Sequence, residues 1–531
     1  MDKNNTTAIQ NKNNLSVKET LVNYYLVLMF SVFPLFFTDE YFNIRHDKYG
    51  FFLGLSAVLI VSVGGILIYT KTVENKSPSD EIQTQSKIGQ GFSIPDYAMI
   101  AFLIFSAVST VLSSHMEDAL FGTAGRNNGL VLLVFYVGIY FVITRFLNYR
   151  EYIFIALAVG ASAVFLLAVL NYFYIDPLGM FARLTDTRTI TDFTSTIGNK
   201  NLMSSYICII LPVLIALSVL SENGNLRILY LAASGFGFMA LMTSDSDSGI
   251  LGLGVFGIIY FIWFVRNIER LKRYFLTATT MLAFGKLLRL ISFIMNDHSK
   301  GMDQFQEFFV YSNYGYILIA ICALITVLLY ILDHKKPNIV LTKAVPIAIT
   351  IIFAVVITGL ISVMVYFSVF DTTTDLGSLE TLIRFNDKWG THRGYMWIRS
   401  MRHFGNESFI EKLFGAGPDN FYYAFSPYFQ GLMQYGDGST NAAHNEYINY
   451  LITHGIIGTV AYLTALGSII VRAVKSAKQN PMTVICIAAV ICYAVQAVVN
   501  IAQPITTPLF IIFLAMSEAF SRQTLPIKSS R

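Results

Sequence analysis

Long apolar blocks recur along almost the whole of this 531-residue chain. Each block has about 18–25 residues, which is the length that an α-helix needs to cross a lipid bilayer. A bilayer gives exposed backbone groups no hydrogen-bond partner, and blocks this long exclude a barrel of short alternating strands. Only 13% of the residues are charged and 54% are hydrophobic, as expected for a chain embedded in lipid. The sequence therefore predicts an all-α polytopic membrane protein with about 12–14 transmembrane helices.

The predicted spans cover most of the chain. The ninth span contains two cations, Lys286 and Arg289, so it could also be a tilted or interfacial helix or contribute to a cavity. The spans are 21–38, 51–70, 96–113, 129–147, 151–173, 202–220, 227–243, 249–265, 274–294, 312–332, 344–370, 447–471, 482–500 and 504–520.

The distribution of Lys and Arg predicts the orientation. Basic residues collect in alternate connections, such as 266–273 and 333–343, and the positive-inside rule places these connections and both termini in the cytoplasm. Asp39 and Glu40 follow the first block where a cleavage site would stand, so we expect that block to remain as a helix. The predicted organisation is a cytoplasmic tail at 1–20, helices 1–11 at 21–370, an extracytoplasmic loop at 371–446, helices 12–14 at 447–520 and a cytoplasmic tail at 521–531.

Several classes of protein do not fit this composition. The formal charge of +4 is too small to indicate a nucleic-acid partner, and no P-loop is present to drive an ATP-dependent pump. The cysteines lie inside apolar blocks, without the spacing of metal ligands; they are Cys208, Cys322, Cys486 and Cys492. We predict neither a metal nor a cofactor.

The loop at 371–446 is the largest polar surface, and we expect the chemistry there. Arg393, Trp397 and Met401 recur every four residues, so they share one face of a predicted amphipathic helix. The aromatic stretch 421–429 suits either stacking on sugar rings or anchoring at the membrane interface. His444 and Asn445 stand at the mouth of the next helix, where a histidine suits proton transfer near neutral pH.

Three other outward-facing segments carry polar residues. Arg126 lies in a glycine-rich turn before the fourth helix, where it could hold an anion or simply remain solvated. The segment 174–201 ends at Lys200 and Asn201, at a helix start where asparagine caps well. Acids at 243–249 suit the positive end of a helix dipole, and capping alone explains them. In the twelfth span, Gly455 and Gly458 indicate close helix packing.

The order of these motifs resembles the O-antigen ligase and Wzy-type O-antigen polymerase superfamily. The resemblance covers about residues 120–470, and each motif is weak alone but specific in this order. Two departures are visible: Asp247 stands where the family often has Arg, and Lys200 stands where it often has Pro. The motifs are FGTAGRNNGL from 121, IGNKNLMSSYICIILP from 197, RGYMWIRSMRHF from 393, LFGAGPDNFYYAF from 413 and AAHNEYINYLITHGIIG from 442.

The resemblance implies an inverting, metal-independent membrane glycosyltransferase of the C-type fold class (GT-C). Such enzymes transfer a glycan from undecaprenyl diphosphate to an acceptor hydroxyl, on the outer face of the bacterial cytoplasmic membrane. Carried over by position, the base is His444, and Arg126 and Arg393 hold the diphosphate; Arg183 and Arg188 are candidates by location only. The expected diphosphate- or substrate-binding residues are Arg126, Arg183, Arg188, Lys200, Asn201, Arg393, Trp397 and Asn445.

Three functions are compatible with the sequence. The first is polymerisation of lipid-linked repeat units into a surface polysaccharide, and the second is ligation of the glycan to a lipid, wall or protein acceptor. The third is a transporter or flippase for lipid-linked sugars, which would need charged residues near the bilayer midplane. The expected partners are the lipid-linked glycan, the bilayer and other polysaccharide assembly proteins.

Overall fold

The computed structural model describes residues 15–74, 91–123, 125–296, 298–336, 340–436 and 438–524. These residues form helices and connecting turns, and none of the described ranges forms a β-strand. The two predicted cytoplasmic tails, 1–20 and 521–531, lie mostly outside the described residues.

Each predicted span overlaps a helix of at least 15 residues. The helices are α1 (Val17–Ser31), α2 (Ile44–Glu74), α3 (Ile94–Leu112), α4 (Leu130–Phe146), α5 (Glu151–Tyr172), α6 (Lys200–Leu220), α7 (Gly224–Thr243), α8 (Asp247–Phe264), α9 (Ile268–Ile294), α10 (Tyr314–Lys335), α11 (Ala344–Val365, extended by a π turn at Tyr366–Phe370), α12 (Glu446–Ser476), α13 (Pro481–Gln496) and α14 (Thr507–Arg522).

Within the described ranges, 11 of these helices are long and apolar enough to cross a membrane; they are α2, α3 and α5 to α13. The other three are shorter, with 15 residues in α1, 17 in α4 and 16 in α14. The predicted all-α polytopic membrane fold is confirmed. We call the end of the bundle that carries the segment 371–445 the loop side.

The core of the bundle is built around α6 and α14. Every residue of α14 is buried, and the apolar window of α6 is buried throughout. Helix α6 packs on α7 and α13, whereas α14 packs on α4 and α13. A helix that is apolar on all sides can lie either at the centre of a bundle or in lipid. Helix α11 shows the second case, because none of its residues is buried.

Helix α9 is continuous despite its two cations. Lys286 Nζ donates to the carbonyls of Val310 (2.8 Å) and Ser312 (2.5 Å), and Arg289 donates to that of Tyr311 at 2.8 Å. These carbonyls end the short helix Gln304–Val310, where unpaired acceptors need donors. The two charges therefore cap a neighbouring helix, which is a structural role.

Helix α12 is broken one third of the way along, at Gly455 (φ +65°, ψ −173°). The break frees the carbonyls of Ile452 and Thr453, which accept from the backbone N–H groups of Ala416 and Gly417, both at 3.0 Å. Freed backbone groups at membrane depth need protein partners, and the loop supplies them. Gly455 therefore allows the loop to approach closely: a Cβ there would lie 2.4 Å from the backbone of Leu413, in the short helix Phe409–Phe414. The close packing expected at this glycine is thus made with a helix of the loop.

Candidate functional site

The segment 371–445 has a hydrophobic core of its own. The loop helix, Trp389–Asn406, buries Tyr395 and Met396 against Phe421 and Phe425. Because Phe421 and Phe425 are buried within the loop, they serve neither of the two roles expected for the aromatic stretch. The neighbouring Tyr422 and Tyr423 instead line a cavity.

A cavity of about 630 Å³ lies between this loop and the loop-side ends of the helices. We call it the loop cavity. Hydroxyl and amide groups dominate its polar lining, and such groups suit the hydrogen bonding of sugars. The lining residues are Asp118, Thr123, Asn201, Thr391, Arg393, Met396, Tyr422, Tyr423, Leu432, Ser439, Thr440, Asn441 and His444.

His444 lies at the edge of this cavity in a left-handed backbone conformation, with φ +49°. Such a conformation costs a non-glycine residue about 1–3 kcal/mol and persists only where the surroundings impose it. Trp397 Nε1 donates to the carbonyl of Ala443 at 3.0 Å, and the Asn445 side chain caps α12 by accepting from the backbone of Tyr447 and Ile448. The peptide on each side of His444 is therefore held in place.

Arg393 lines the same cavity one turn before Trp397. Its Nη1 donates to the Gly390 carbonyl (3.0 Å) and to Thr391 Oγ1 (3.2 Å), while its Nε is buried without a partner. The predicted shared face of Arg393 and Trp397 is thus directed at the segment that carries His444. The third residue of that face, Met401, is exposed.

Electrostatics keep the His444 imidazole neutral. Burial lowers its pKa to about 4, and the positive charges of Arg393 and Arg126 act in the same direction. A neutral imidazole has a free lone pair and can accept a proton. Burial also lowers the pKa of Arg393, which nevertheless stays charged because a guanidinium does not deprotonate in proteins.

Arg126 forms its polar contacts with other residues of the protein. Its Nε lies 3.3 Å from Asp419 Oδ1, and its Nη1 donates to the Asn441 carbonyl at 2.6 Å. Its Nη2 donates to the carbonyl of Ala502 at 3.3 Å. The guanidinium therefore ties the turn before α4 to three other segments, at Asp419, at Asn441 and at Ala502.

Asp419, the ion-pair partner of Arg126, also contacts the turn before α4. Its Oδ2 accepts from the backbone of Thr123 (2.9 Å) and Asn128 (3.2 Å), and also from Thr123 Oγ1 (3.0 Å). Two motifs that lie far apart in sequence, the glycine turn at 121–129 and the turn at 415–419, are therefore direct contact partners.

A second cavity of about 330 Å³ adjoins the first and shares Asn201, Asn441 and His444 with it. We call it the helix-end cavity, because its walls come from the loop-side ends of α2 and α6 and from the segment before α14. Its lining also contains Arg45, which the sequence reasoning missed. The available signal was a basic residue on a short connection predicted to face outward, which the positive-inside rule disfavours.

Lys200 and Asn201 lie at the start of α6. Lys200 Nζ is 3.3 Å from Asp192 and 3.5 Å from Asp245, so its charge is balanced by acids. Asn201 lines both cavities, and its side-chain oxygen accepts from Ser246 at 3.3 Å. Asn201 therefore has better access than Lys200 to a ligand in these cavities.

Arg183 and Arg188 lie away from the lining of both cavities. Arg183 forms ion pairs with Asp39 and Glu40 and lies 5.1 Å from the centre of the Phe42 ring. Arg188 is exposed on the short helix Thr187–Asp192. The structure thus brings His444, Arg393, Trp397, Asn201 and Asn445 together, with Arg126 directly behind them.

The comparison with known families bears on this site. Residues 308–463 match the family described as O-antigen ligase, a span that includes the loop, His444 and the break in α12. No curated relative matches the chain. The family is a class of glycosyltransferase-like membrane enzymes, and the match confirms the resemblance found in the sequence. Residues 308–463 of this multi-pass membrane protein are thus similar to the O-antigen ligase family.

Proposed function

We propose that the protein transfers a glycan from a polyprenyl diphosphate carrier, undecaprenyl diphosphate in bacteria, to an acceptor hydroxyl. The single observation that carries the proposal is the placement of His444. It combines a neutral imidazole, a strained and restrained backbone and a position at the edge of a polar cavity that also contains Arg393.

In the proposed reaction, the acceptor oxygen attacks the anomeric carbon and forms the new glycosidic bond with inversion. The bond between that carbon and the diphosphate oxygen breaks, and its electron pair leaves with the diphosphate. The acceptor proton passes to His444, which then releases it to water. A base positioned in this way contributes about 10²–10⁴-fold to the rate.

The leaving diphosphate carries the developing negative charge. Arg393 lines the cavity and forms no ion pair with any other described residue, so its guanidinium can donate to phosphate oxygens without first breaking a salt bridge. We assign the stabilisation of the leaving group to Arg393 rather than to a metal ion.

The remaining predicted residues have supporting roles in this proposal. Arg126 and Trp397 position the segment that carries His444, Asn445 caps α12 beside it, and Asn201 binds substrate between the two cavities. We assign Arg183, Arg188 and Lys200 to the organisation of neighbouring loops.

The proposed topology follows from the distribution of basic residues. It places the termini in the cytoplasm and the loop side, with segment 371–446, on the outer face of a bacterial cytoplasmic membrane. The partners are then the lipid-linked glycan, the bilayer and other polysaccharide assembly proteins. The transporter alternative needs charged residues near the bilayer midplane, and the two cations of the ninth span, Lys286 and Arg289, donate to backbone carbonyls.

The decisive test is His444→Ala in membranes supplied with a labelled polyprenyl-diphosphate glycan. We expect a normal protein level and at least a 10²-fold loss of transfer. His334→Ala is the matched control, because His334 is exposed in the last turn of α10, and it should transfer at the wild-type rate. Transfer by His444→Ala within twofold of wild type would remove His444 as the base.

Polymerase and ligase differ in the acceptor. In a deletion strain, loss of long chains with retention of single repeat units indicates a polymerase. Accumulation of free lipid-linked polymer indicates a ligase, the activity that the family description names.

A further inference from the structure

Two cavities meet at His444, and each contains one guanidinium. Arg393 lines the loop cavity and Arg45 lines the helix-end cavity, while Asn201, Asn441 and His444 line both. A transferase must bring two substrates to one base. Cavities that open on either side of that base provide two binding spaces that share the reacting atoms.

Arg45 has no counter-ion among the residues that the structure describes. It is exposed, and it forms no ion pair and no side-chain hydrogen bond with any other described residue. Its Nη1 lies 3.9 Å from the place that a Cβ on Gly125 would occupy, next to Arg126, so the local field is positive. An uncompensated guanidinium in a cavity wall is a binding group for an anion.

The nearby acids are all occupied elsewhere. Asp39 and Glu40 pair with Arg183, while Asp47 accepts from the backbone and hydroxyl of Thr38 at 2.7–2.9 Å. Three carboxylates thus lie within six residues of Arg45 in sequence without neutralising it. The cavity beside Arg45 therefore keeps its positive charge.

The walls of the helix-end cavity suit a lipid headgroup. Its apolar members come from the loop-side ends of membrane helices and their connections; they include Tyr41, Phe42, Ile44, Leu202, Ile501 and Ile505. A phosphate at Arg45 would have apolar surface beside it for the first units of a lipid chain. The part of the loop cavity that the loop itself lines, by contrast, presents mainly hydroxyl groups.

We propose that Arg45 binds the phosphate headgroup of a second lipid-linked saccharide, the acceptor, while Arg393 binds the diphosphate of the donor. The assignment rests on the proposed function. The donor breaks its bond at the diphosphate, so its phosphates must lie next to the base. The acceptor reacts at a sugar hydroxyl, so its phosphate lies further away by the length of its saccharide. An acceptor that is itself a lipid-linked repeat unit makes the enzyme a polymerase.

The test counts binding sites with farnesyl diphosphate as the probe, on purified full-length protein in detergent. Wild type should bind two molecules per chain. Arg45→Ala and Arg393→Ala should each bind one, and the double variant none. Arg402→Ala, which removes an exposed arginine elsewhere on the loop helix, should still bind two. One site in wild type, or two sites in Arg45→Ala, would overturn the proposal.

Kinetics provide the second arm. Arg45→Ala should raise the KM for a lipid-linked acceptor at least tenfold and leave the KM for the donor within twofold. Equal effects on both substrates would contradict the assignment of Arg45 to the acceptor. His444→Ala separates this proposal from the proposed role of the base, because it should bind two probe molecules and lose at least about 10²-fold of its transfer. Transfer within twofold of wild type would remove His444 as the base whatever the number of sites.

Discussion

Arg126 and Asp419 form an ion pair on the loop side in which each side chain is only 2% exposed. Almost 300 residues of sequence separate them, and the pair joins the turn before α4 to the turn before the aromatic segment. Breaking a buried pair by removing one partner leaves an uncompensated charge and costs about 3–5 kcal/mol.

We therefore expect Arg126→Ala to lower the free energy of unfolding by about 3–5 kcal/mol. Thermal unfolding in detergent measures the effect. Adding Asp419→Asn should recover part of the loss, since the orphaned charge is then removed. If the two substitutions were simply additive, the pair would not be the cause.

Gly455 and Gly415 make the contact that docks the loop on the broken helix. A Cβ on Gly455 would lie 2.4 Å from the backbone of Leu413, and one on Gly415 would lie 2.5 Å from the Gly455 nitrogen. Both glycines have positive φ, a conformation that alanine adopts only with strain. Gly455→Ala should therefore cause both backbone strain and a steric clash with Leu413. We expect faster protease cleavage within 371–445 and a lower Tm.

Gly467→Ala is the control for this experiment. Gly467 lies in the same helix, and no atom lies within 4 Å of the place that a Cβ would occupy there. Alanine at this position should therefore stabilise α12 by about 0.5–1 kcal/mol. Equal protease resistance of Gly455→Ala and Gly467→Ala would show that the contact does not hold the loop.

Trp397 fixes the backbone beside His444, because its Nε1 donates a hydrogen bond to the carbonyl of Ala443. Trp397→Phe keeps an aromatic ring but removes the Nε1 donor, so we expect about a tenfold lower kcat with a change in stability of only about 0.5–1.5 kcal/mol. Trp389→Phe is the matched control, because Trp389 Nε1 donates to the Leu382 carbonyl instead. Should both variants lose kcat equally, the effect would belong to the loop helix as a whole.

The pH dependence of glycan transfer should reflect the effect of Arg393 and Arg126 on the pKa of His444. The base acts when neutral, and its pKa of about 4 in the free protein places the loss of kcat/KM at low pH, as pH falls through that value. Bound diphosphate offsets the positive charges, so the pKa rises and kcat should begin to fall at a higher pH than kcat/KM.

Arg393→Ala tests the cause of this shift. Removing one positive charge raises the His444 pKa, so the acid limb of kcat/KM should move to higher pH. A limb that stays in place, or moves to lower pH, would show that Arg393 does not act on His444 electrostatically.

The sequence by itself determined the membrane class, the positions of the helices and the importance of the loop. Each of these depends on local pattern, such as the length of an apolar run or the spacing of Arg393 and Trp397. The resemblance to a known family also pointed to His444, because the order of the motifs can be read directly from the sequence.

The partners of each charge were decided only by the tertiary structure. Arg45, Arg126, Arg183 and Arg393 look alike in sequence, yet one lines a cavity without a partner among the described residues, two are held in ion pairs and one has a buried Nε without a partner. A guanidinium can bind a ligand only where no carboxylate reaches it first, and that depends on contacts between distant segments. The break at Gly455 was hidden for the same reason, because its freed carbonyls are satisfied by a loop about 40 residues earlier in the chain.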